Sequence, residues 1–170
     1  STAIRTRGFW LGTNLITALI AASVINIFKD TLEQVIFLAV LMPIIASMGG
    51  VAATQTLTIT VRGLALGQIV KANYLYLFNR ELIVGISNGF FWAVILSLIA
   101  CMWFQDWLLA WVICLSMIIN LTAGVLSGMG IPILLRSLKL DPAVAGSVIV
   151  TTVTDVIGFF SFLGLASYFY

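Results

Sequence analysis

One acidic residue, Asp155, lies inside the last apolar stretch of the chain, which runs from about residue 143 to residue 169. On a helix, residues three and four positions apart share a face. That spacing places Asp155 on a stripe of hydroxyl and small residues that comprises Ser147, Thr151, Thr152 and Gly158. A carboxylate at the centre of a membrane helix costs about 2.5–3.5 kcal/mol on insertion scales, so it is protonated, paired or in contact with water.

Two interpretations of Asp155 remain open at this point. A protonated Asp155 would bond to a neighbouring helix, whereas an ionised one would face a water-filled pathway or bind a cation. No lysine or arginine lies within a predicted membrane span to pair with it. The surrounding hydroxyl groups favour the pathway, because a packed helix does not need them.

Two further apolar stretches carry similar stripes of small and polar residues. The stripe in the second stretch comprises Ser47, Gly50, Thr54, Leu57 and Thr58. The stripe in the fourth comprises Asn120, Ala123, Gly124, Ser127 and Gly128. Small residues at this spacing let membrane helices approach closely, so we predict a packing role for the fourth stripe. For the second, packing and a wet pathway both stay open, since Thr54 and Gln55 add polar groups.

These residue types offer only oxygen atoms to a ligand, which suits a hard cation. Magnesium gives up its water reluctantly, so a site for it needs few direct ligands and room for a hydration shell. Two copies of the chain around a two-fold axis would bring two Asp155 carboxylates into one pore. Calcium, manganese or sodium would fit the same description. The residues alone therefore indicate an oligomeric cation pathway, with the ion left open.

The composition argues against several other classes of function. The chain has no histidine, which excludes Ser-His catalysis and histidine-ligated zinc hydrolysis. A membrane aspartyl protease needs two carboxylates that share a proton, and one chain has a single deep aspartate. We therefore expect no enzyme and no organic cofactor. A net charge of +2 does not predict nucleic-acid binding.

The chain as a whole has the composition of an all-α integral membrane protein. Hydrophobic residues make up 62% and charged residues 8%, against about 25% charged in soluble domains. We predict one transmembrane pore domain over residues 1–170, without a cytosolic regulatory domain in this chain. Its five predicted helical spans cover residues 8–28, 35–61, 82–104, 107–135 and 143–169.

The basic residues predict how these spans are oriented. With the N-terminus in the cytoplasm, seven of the eight lysines and arginines face the cytoplasm, and only Lys29 faces out. The C-terminus then lies on the extracytoplasmic side. We expect a multi-pass protein of the plasma or inner membrane, in contact with lipid.

Three stretches of the sequence resemble the MgtE family of magnesium channels. They are "LMPIIASMGGVAATQTLTITVRGLALGQI" (41–69), "NRELIVGISNG" (79–89) and the last 41 residues, 130–170. The resemblance implies magnesium transport by a homodimer, with a central pore lined mainly by the second and fifth helices. It further implies that Asp155 holds a hydrated Mg²⁺ and that the Thr151 carbonyl faces the ion. With Ser147 of the Asp155 stripe, the expected pore-lining residues are Gly50, Thr54, Leu57, Thr58, Ser147 and Gly158.

The sequence also departs from the family pattern. Val51 stands where the family has asparagine in "GGN", and Gly146-Ser147-Val148 replaces "SGP" before the fifth-helix threonines. The family's cytosolic sensor regions are not found in this chain, so closure by them is not assigned. Two other functions remain open: a sodium-coupled transporter of magnesium or other divalent cations, and a membrane scaffold that transports nothing.

Overall fold

A computed structural model describes residues 2–170, and these residues form a bundle of helices. Five helices are long and apolar enough to cross a membrane. We label them α1 (Thr2–Ile27), α2 (Phe37–Ala65), α3 (Tyr74–Phe104), α4 (Trp107–Ser137) and α5 (Val144–Phe169). A short helix, Lys29–Gln34, joins α1 to α2, and a 3₁₀ turn, Lys71–Asn73, precedes α3. The predicted all-α membrane architecture with five long helices is confirmed.

The helices extend beyond several of the apolar stretches that predicted them. Helix α1 begins at Thr2, α2 continues to Ala65, and α3 begins at Tyr74, eight residues before the predicted span. The spans were drawn from apolar residues, whereas backbone hydrogen bonding continues through polar residues at a helix end. Residues 74–81 thus form the first two turns of α3, although they lie before the predicted span.

Helix α4 is the centre of the bundle and contacts α2, α3 and α5. Two of its glycines lie against the α2 backbone. A Cβ atom on Gly124 would come within 2.8 Å of the Gly49 carbonyl oxygen, and one on Gly128 within 2.6 Å of the Ala53 carbonyl oxygen. No side chain fits at either position, so the predicted packing role of this stripe is confirmed.

Two buried apolar clusters hold α2 against α5, one on each side of Asp155 along the helix. The larger joins α2, α4 and α5 and includes Leu38, Leu41, Ile45, Ile113 and Phe162. The smaller comprises Ala53, Leu57 and Val150. Both clusters are buried, so they hold α2 and α5 together above and below Asp155.

Polar contacts identify the two ends of the bundle. At one end, an Arg136 Nη donates to the carbonyl oxygen of Leu64, which joins the ends of α4 and α2. At the other end, the Tyr170 hydroxyl donates to the Asp106 carboxylate. Burial raises the pKa of Tyr170, and the hydrogen bond to Asp106 raises that pKa further.

The N-terminal part of the chain lies at the Arg136 end. Helix α1 has one buried residue, Ala21, and Arg7 borders a crevice with Ser147 near the start of α5. Arg62, in the last turn of α2, is at the same end. The fold therefore groups Arg7, Arg62 and Arg136 at one end of the bundle.

Candidate functional site

An open groove of about 670 Å³ runs between α2 and α5. Most of its wall comes from α2, and Thr151 and Asp155 of α5 complete it. The α2 residues that line it are Ala46, Ser47, Gly50, Val51, Thr54, Gln55, Thr58 and Ile59. These residues recur three and four positions apart, so one face of α2 borders the groove over its whole length.

The threonines of α2 present acceptor oxygens to this groove. The Thr54 hydroxyl donates to the Gly50 carbonyl at 2.9 Å, and the Thr58 hydroxyl donates to the Thr54 carbonyl at 2.9 Å. A hydroxyl has one proton and two lone pairs, so an oxygen whose proton is bonded to the backbone can only accept further hydrogen bonds. This face of α2 therefore suits a cation or the water molecules that surround one.

Asp155 is the one acidic residue among those that line the groove. Its side chain is partly buried. Within residues 2–170 it makes no side-chain hydrogen bond, and the ion pair found there joins Arg80 and Glu81. The hydrogen bond that a protonated Asp155 would make to a neighbouring helix is therefore not formed inside the described part of one chain.

Thr151 lies one turn before Asp155 and is exposed. It lines the groove and also the crevice between α1 and α5. The Thr154 hydroxyl shares its proton between the Thr151 carbonyl oxygen at 3.0 Å and the Val150 carbonyl oxygen at 3.1 Å. A carbonyl oxygen has two lone pairs, and in a helix the amide four residues later takes the other. Thr151 thus borders the groove one turn before Asp155, and the expected role of its carbonyl toward the ion stays a prediction.

The structure brings five of the eight expected site residues together in the groove: Gly50, Thr54, Thr58, Thr151 and Asp155. The other three lie elsewhere. Leu57 is 5% exposed and packs against Val150. Gly158 is buried against Asn120, and Ser147 lines the crevice beside α1.

These three residues lie outside the groove because residues that share one face of a helix cover a wider arc than the groove does. Leu57 precedes Thr58 by one residue, which turns its side chain by about 100° toward the contact with α5. Gly158 and Ser147 flank Asp155 along α5, but each faces a neighbouring helix instead of the groove.

Five residues that line the groove were not among the expected site residues: Ala46, Ser47, Val51, Gln55 and Ile59. Gln55 and Ile59 continue the ridge of Val51 at four-residue spacing, so the helical period itself could have found them. They were missed because the expected wall followed one narrow stripe of α2, whereas the groove wall is broader and includes the neighbouring polar and apolar side chains.

Comparison with known proteins identifies a family that matches this chain. The family described as "MgtE: Divalent cation transporter" matches residues 42–165, a range that includes every residue lining the groove. Similar proteins named "Magnesium transporter MgtE" occur in Bacillus subtilis (35% identical over 160 residues), Enterococcus faecalis (30% over 160) and Thermus thermophilus (29% over 157).

These alignments cover most of this chain but a minor part of the relatives. They include 94%, 94% and 92% of the chain, and 36%, 35% and 35% of the respective relatives. The chain thus spans about a third of the length of the proteins it matches.

Proposed function

Because this chain belongs to the MgtE family of divalent cation transporters, we propose that it carries magnesium ions across a membrane, through a pore that two copies form. The observation that carries the proposal is Asp155, an acid without a protein partner inside the described chain, which borders a groove lined by threonine oxygens. A carboxylate in such a place is suited to a cation that passes through.

A second copy of the chain would complete the pathway. The groove is open on the side away from its own bundle, and one chain supplies a single carboxylate to it. A two-fold axis along the groove would close it and bring a second Asp155 opposite the first. Two carboxylates balance the charge of one divalent cation, so a homodimer matches the charge of Mg²⁺ without further acids.

The ion would pass with its water shell. Magnesium dehydrates reluctantly and is commonly held by one or two carboxylates. The Asp155 carboxylates and the hydroxyls of Thr54 and Thr58 accept hydrogen bonds, which is what the water molecules of a hydrated cation donate. Thr151 borders the same pathway.

The membrane potential is sufficient to drive entry. A unit charge that crosses 100 mV gains about 2.3 kcal/mol, so a divalent cation gains about twice that. With the Arg136 end in the cytoplasm and Tyr170 outside, the pore would conduct passively into the cell across the plasma or inner membrane.

Ion flux in liposomes tests this function. Purified protein is reconstituted into liposomes that contain a magnesium-sensitive dye, and external Mg²⁺ is added with or without an inside-negative potential. We expect influx that increases with the potential and does not depend on a sodium gradient.

Two results would replace the channel with another function. Influx that requires an opposing sodium gradient would identify a coupled transporter. Influx equal to that of protein-free liposomes, from protein that remains folded, would favour a scaffold.

A further inference from the structure

Asn120 of α4 is fully buried where α2, α4 and α5 meet, with 0% of its surface exposed. Its side-chain nitrogen donates to the Ile45 carbonyl oxygen of α2 at 2.9 Å. Its side-chain oxygen accepts no hydrogen bond from any group in residues 2–170. A buried polar side chain that is half satisfied calls for a physical explanation.

Two glycines, one from each groove helix, enclose the Asn120 amide. A Cβ atom on Gly49 would lie 2.1 Å from the Asn120 amide nitrogen, and one on Gly158 would lie 2.8 Å from it. Both distances are shorter than Cβ atoms normally show, so a side chain at either position would displace the amide. Helices α2 and α5 therefore approach the same amide group, and each does so at a glycine.

These glycines are next to the groove along the chain. Gly49 directly precedes Gly50, which lines the groove, and Gly158 follows Asp155 by three residues, about one helical turn. A shift of α2 at the Asn120 contact would therefore move the α2 wall of the groove. A shift of α5 at the same contact would move Asp155.

Stability alone does not explain an asparagine at this position. A buried acceptor without a partner lowers stability, because it loses its hydrogen bonds to water without replacement. Leucine has a similar shape and would fill the same space without that cost. What leucine cannot supply is the directional bond to Ile45, which breaks when α2 slides along α4, whereas apolar contacts tolerate such a slide.

We propose that Asn120 is a positioning residue that sets the spacing between Asp155 and the α2 wall of the groove, and through it the choice between divalent cations. This inference rests on the proposed transport function. Oxygen ligands lie about 2.0–2.1 Å from Mg²⁺ but about 2.3–2.6 Å from Ca²⁺, and magnesium holds its water more tightly. A pathway that distinguishes the two ions therefore depends on the spacing of its walls.

The ratio of Mg²⁺ to Ca²⁺ influx in liposomes tests the role in selectivity. Asn120→Leu removes the hydrogen bond and keeps the volume. The matched control is Asn26→Leu, the same change at an exposed position of α1. We expect the ratio to fall several-fold in Asn120→Leu and to stay at the wild-type value in Asn26→Leu. An unchanged ratio in folded Asn120→Leu overturns the proposal, because a purely structural defect lowers both fluxes together.

A double-mutant cycle on thermal unfolding tests the contact itself and needs no transport. Gly49→Ala places a methyl group against the Asn120 amide, so we expect its Tm to fall. Asn120→Ala removes that amide, so the Tm of Gly49→Ala/Asn120→Ala is expected to exceed that of Gly49→Ala alone. Strictly additive losses in Tm would show that the amide does not separate the helices here, and would overturn the positioning role.

The two measurements also separate this inference from the proposed function. If the wild-type protein carries no Mg²⁺, the proposed function fails and the selectivity role fails with it, while the cycle still reports on the contact. If the wild type transports Mg²⁺ and Asn120→Leu retains its ion preference, only the role of Asn120 fails.

Discussion

At the scale of single residues, the α2 threonines make the groove wall a surface of hydrogen-bond acceptors, because their hydroxyl protons are bonded to the backbone. The hydroxyls of Thr54 and Thr58 donate to backbone carbonyls one turn earlier, so their oxygens are left as acceptors. Asp155 adds a carboxylate to the same groove. Acceptors and negative charge together attract cations and repel anions, although none of these residues forms a complete metal site alone.

Val51 is an apolar residue in the centre of this wall, and 54% of its surface is exposed in one chain. Val51→Asn restores the asparagine of the family pattern. Its side-chain oxygen can accept hydrogen bonds from the water molecules of a hydrated ion. We expect magnesium influx to rise several-fold in liposomes, because the amide oxygen accepts hydrogen bonds from the water shell of the ion, which valine does not.

The control for this change is Val51→Leu, which alters the size of the side chain but adds no polar group. We expect it to leave influx unchanged or to lower it. Equal influx from Val51→Asn, Val51→Leu and the wild type would show that residue 51 does not border the conducting pathway.

Helical spacing predicted the groove residues only in part. It correctly joined Asp155 and Thr151 on α5, and Gly50, Thr54 and Thr58 on α2, because residues on one face recur every three or four positions. It also included Leu57, which is covered by Val150. Which part of a helical face is covered depends on the neighbouring helix, and a single sequence does not specify that neighbour's position.

At the scale of helices, α4 depends on glycine where it meets α2. A Cβ atom on Gly128 would lie 2.6 Å from the Ala53 carbonyl oxygen, whereas one on Gly130 would lie no closer than 3.6 Å to its nearest neighbour, Phe78. We expect Gly128→Ala to lower the free energy of unfolding by about 1–3 kcal/mol, the usual cost of overpacking.

Gly130→Ala is the matched control, because the same methyl group meets only ordinary contacts there. Thermal unfolding in detergent measures both variants. Equal unfolding temperatures for Gly128→Ala and Gly130→Ala would contradict the close approach of α4 to α2.

Asp106 provides the N-cap of α4. Its carboxylate accepts from the backbone amides of Leu108 at 3.0 Å and Leu109 at 3.4 Å. We expect Asp106→Ala to reduce stability by about 1 kcal/mol, since it removes this cap, and Asp106→Asn to retain most of it, since asparagine caps about as well. Chemical denaturation compares the two variants, and an equal loss in both would show that capping is not the cause.

The number and order of the long helices could be predicted from the sequence because each apolar stretch exceeds the length that a bilayer requires. Their ends were less predictable. Tyr74 begins α3 well before the apolar residues do, and Lys71–Asn73 forms a separate turn. Polar residues at a helix end are helical or not according to local capping, which hydropathy does not report.

At the scale of the whole molecule, one chain leaves the groove open on one side. We expect a mass of twice the 18.4 kDa of one chain when the protein is measured by light scattering in mild detergent. A mass of one chain, in a preparation that transports magnesium after reconstitution, would contradict the dimeric pore.

Disulfide crosslinking tests which face forms this dimer. In a background with Cys101 and Cys114 replaced by alanine, Val51→Cys places a thiol in the groove, and Ile99→Cys places one on the exposed face of α3. We expect oxidation to produce crosslinked dimers of Val51→Cys and few of Ile99→Cys, because the two-fold axis would bring the grooves together. The reverse preference would place the interface on α3.

Magnesium influx through Asp155→Asn tests the central claim most directly. Asparagine keeps the size of the side chain and removes its charge, and Asp155 makes no side-chain hydrogen bond within residues 2–170 that the change would break. The control is Asp30→Asn, the same change on the exposed short helix. We predict wild-type influx for Asp30→Asn, and influx no higher than that of protein-free liposomes for folded Asp155→Asn. Wild-type influx through Asp155→Asn would contradict the account.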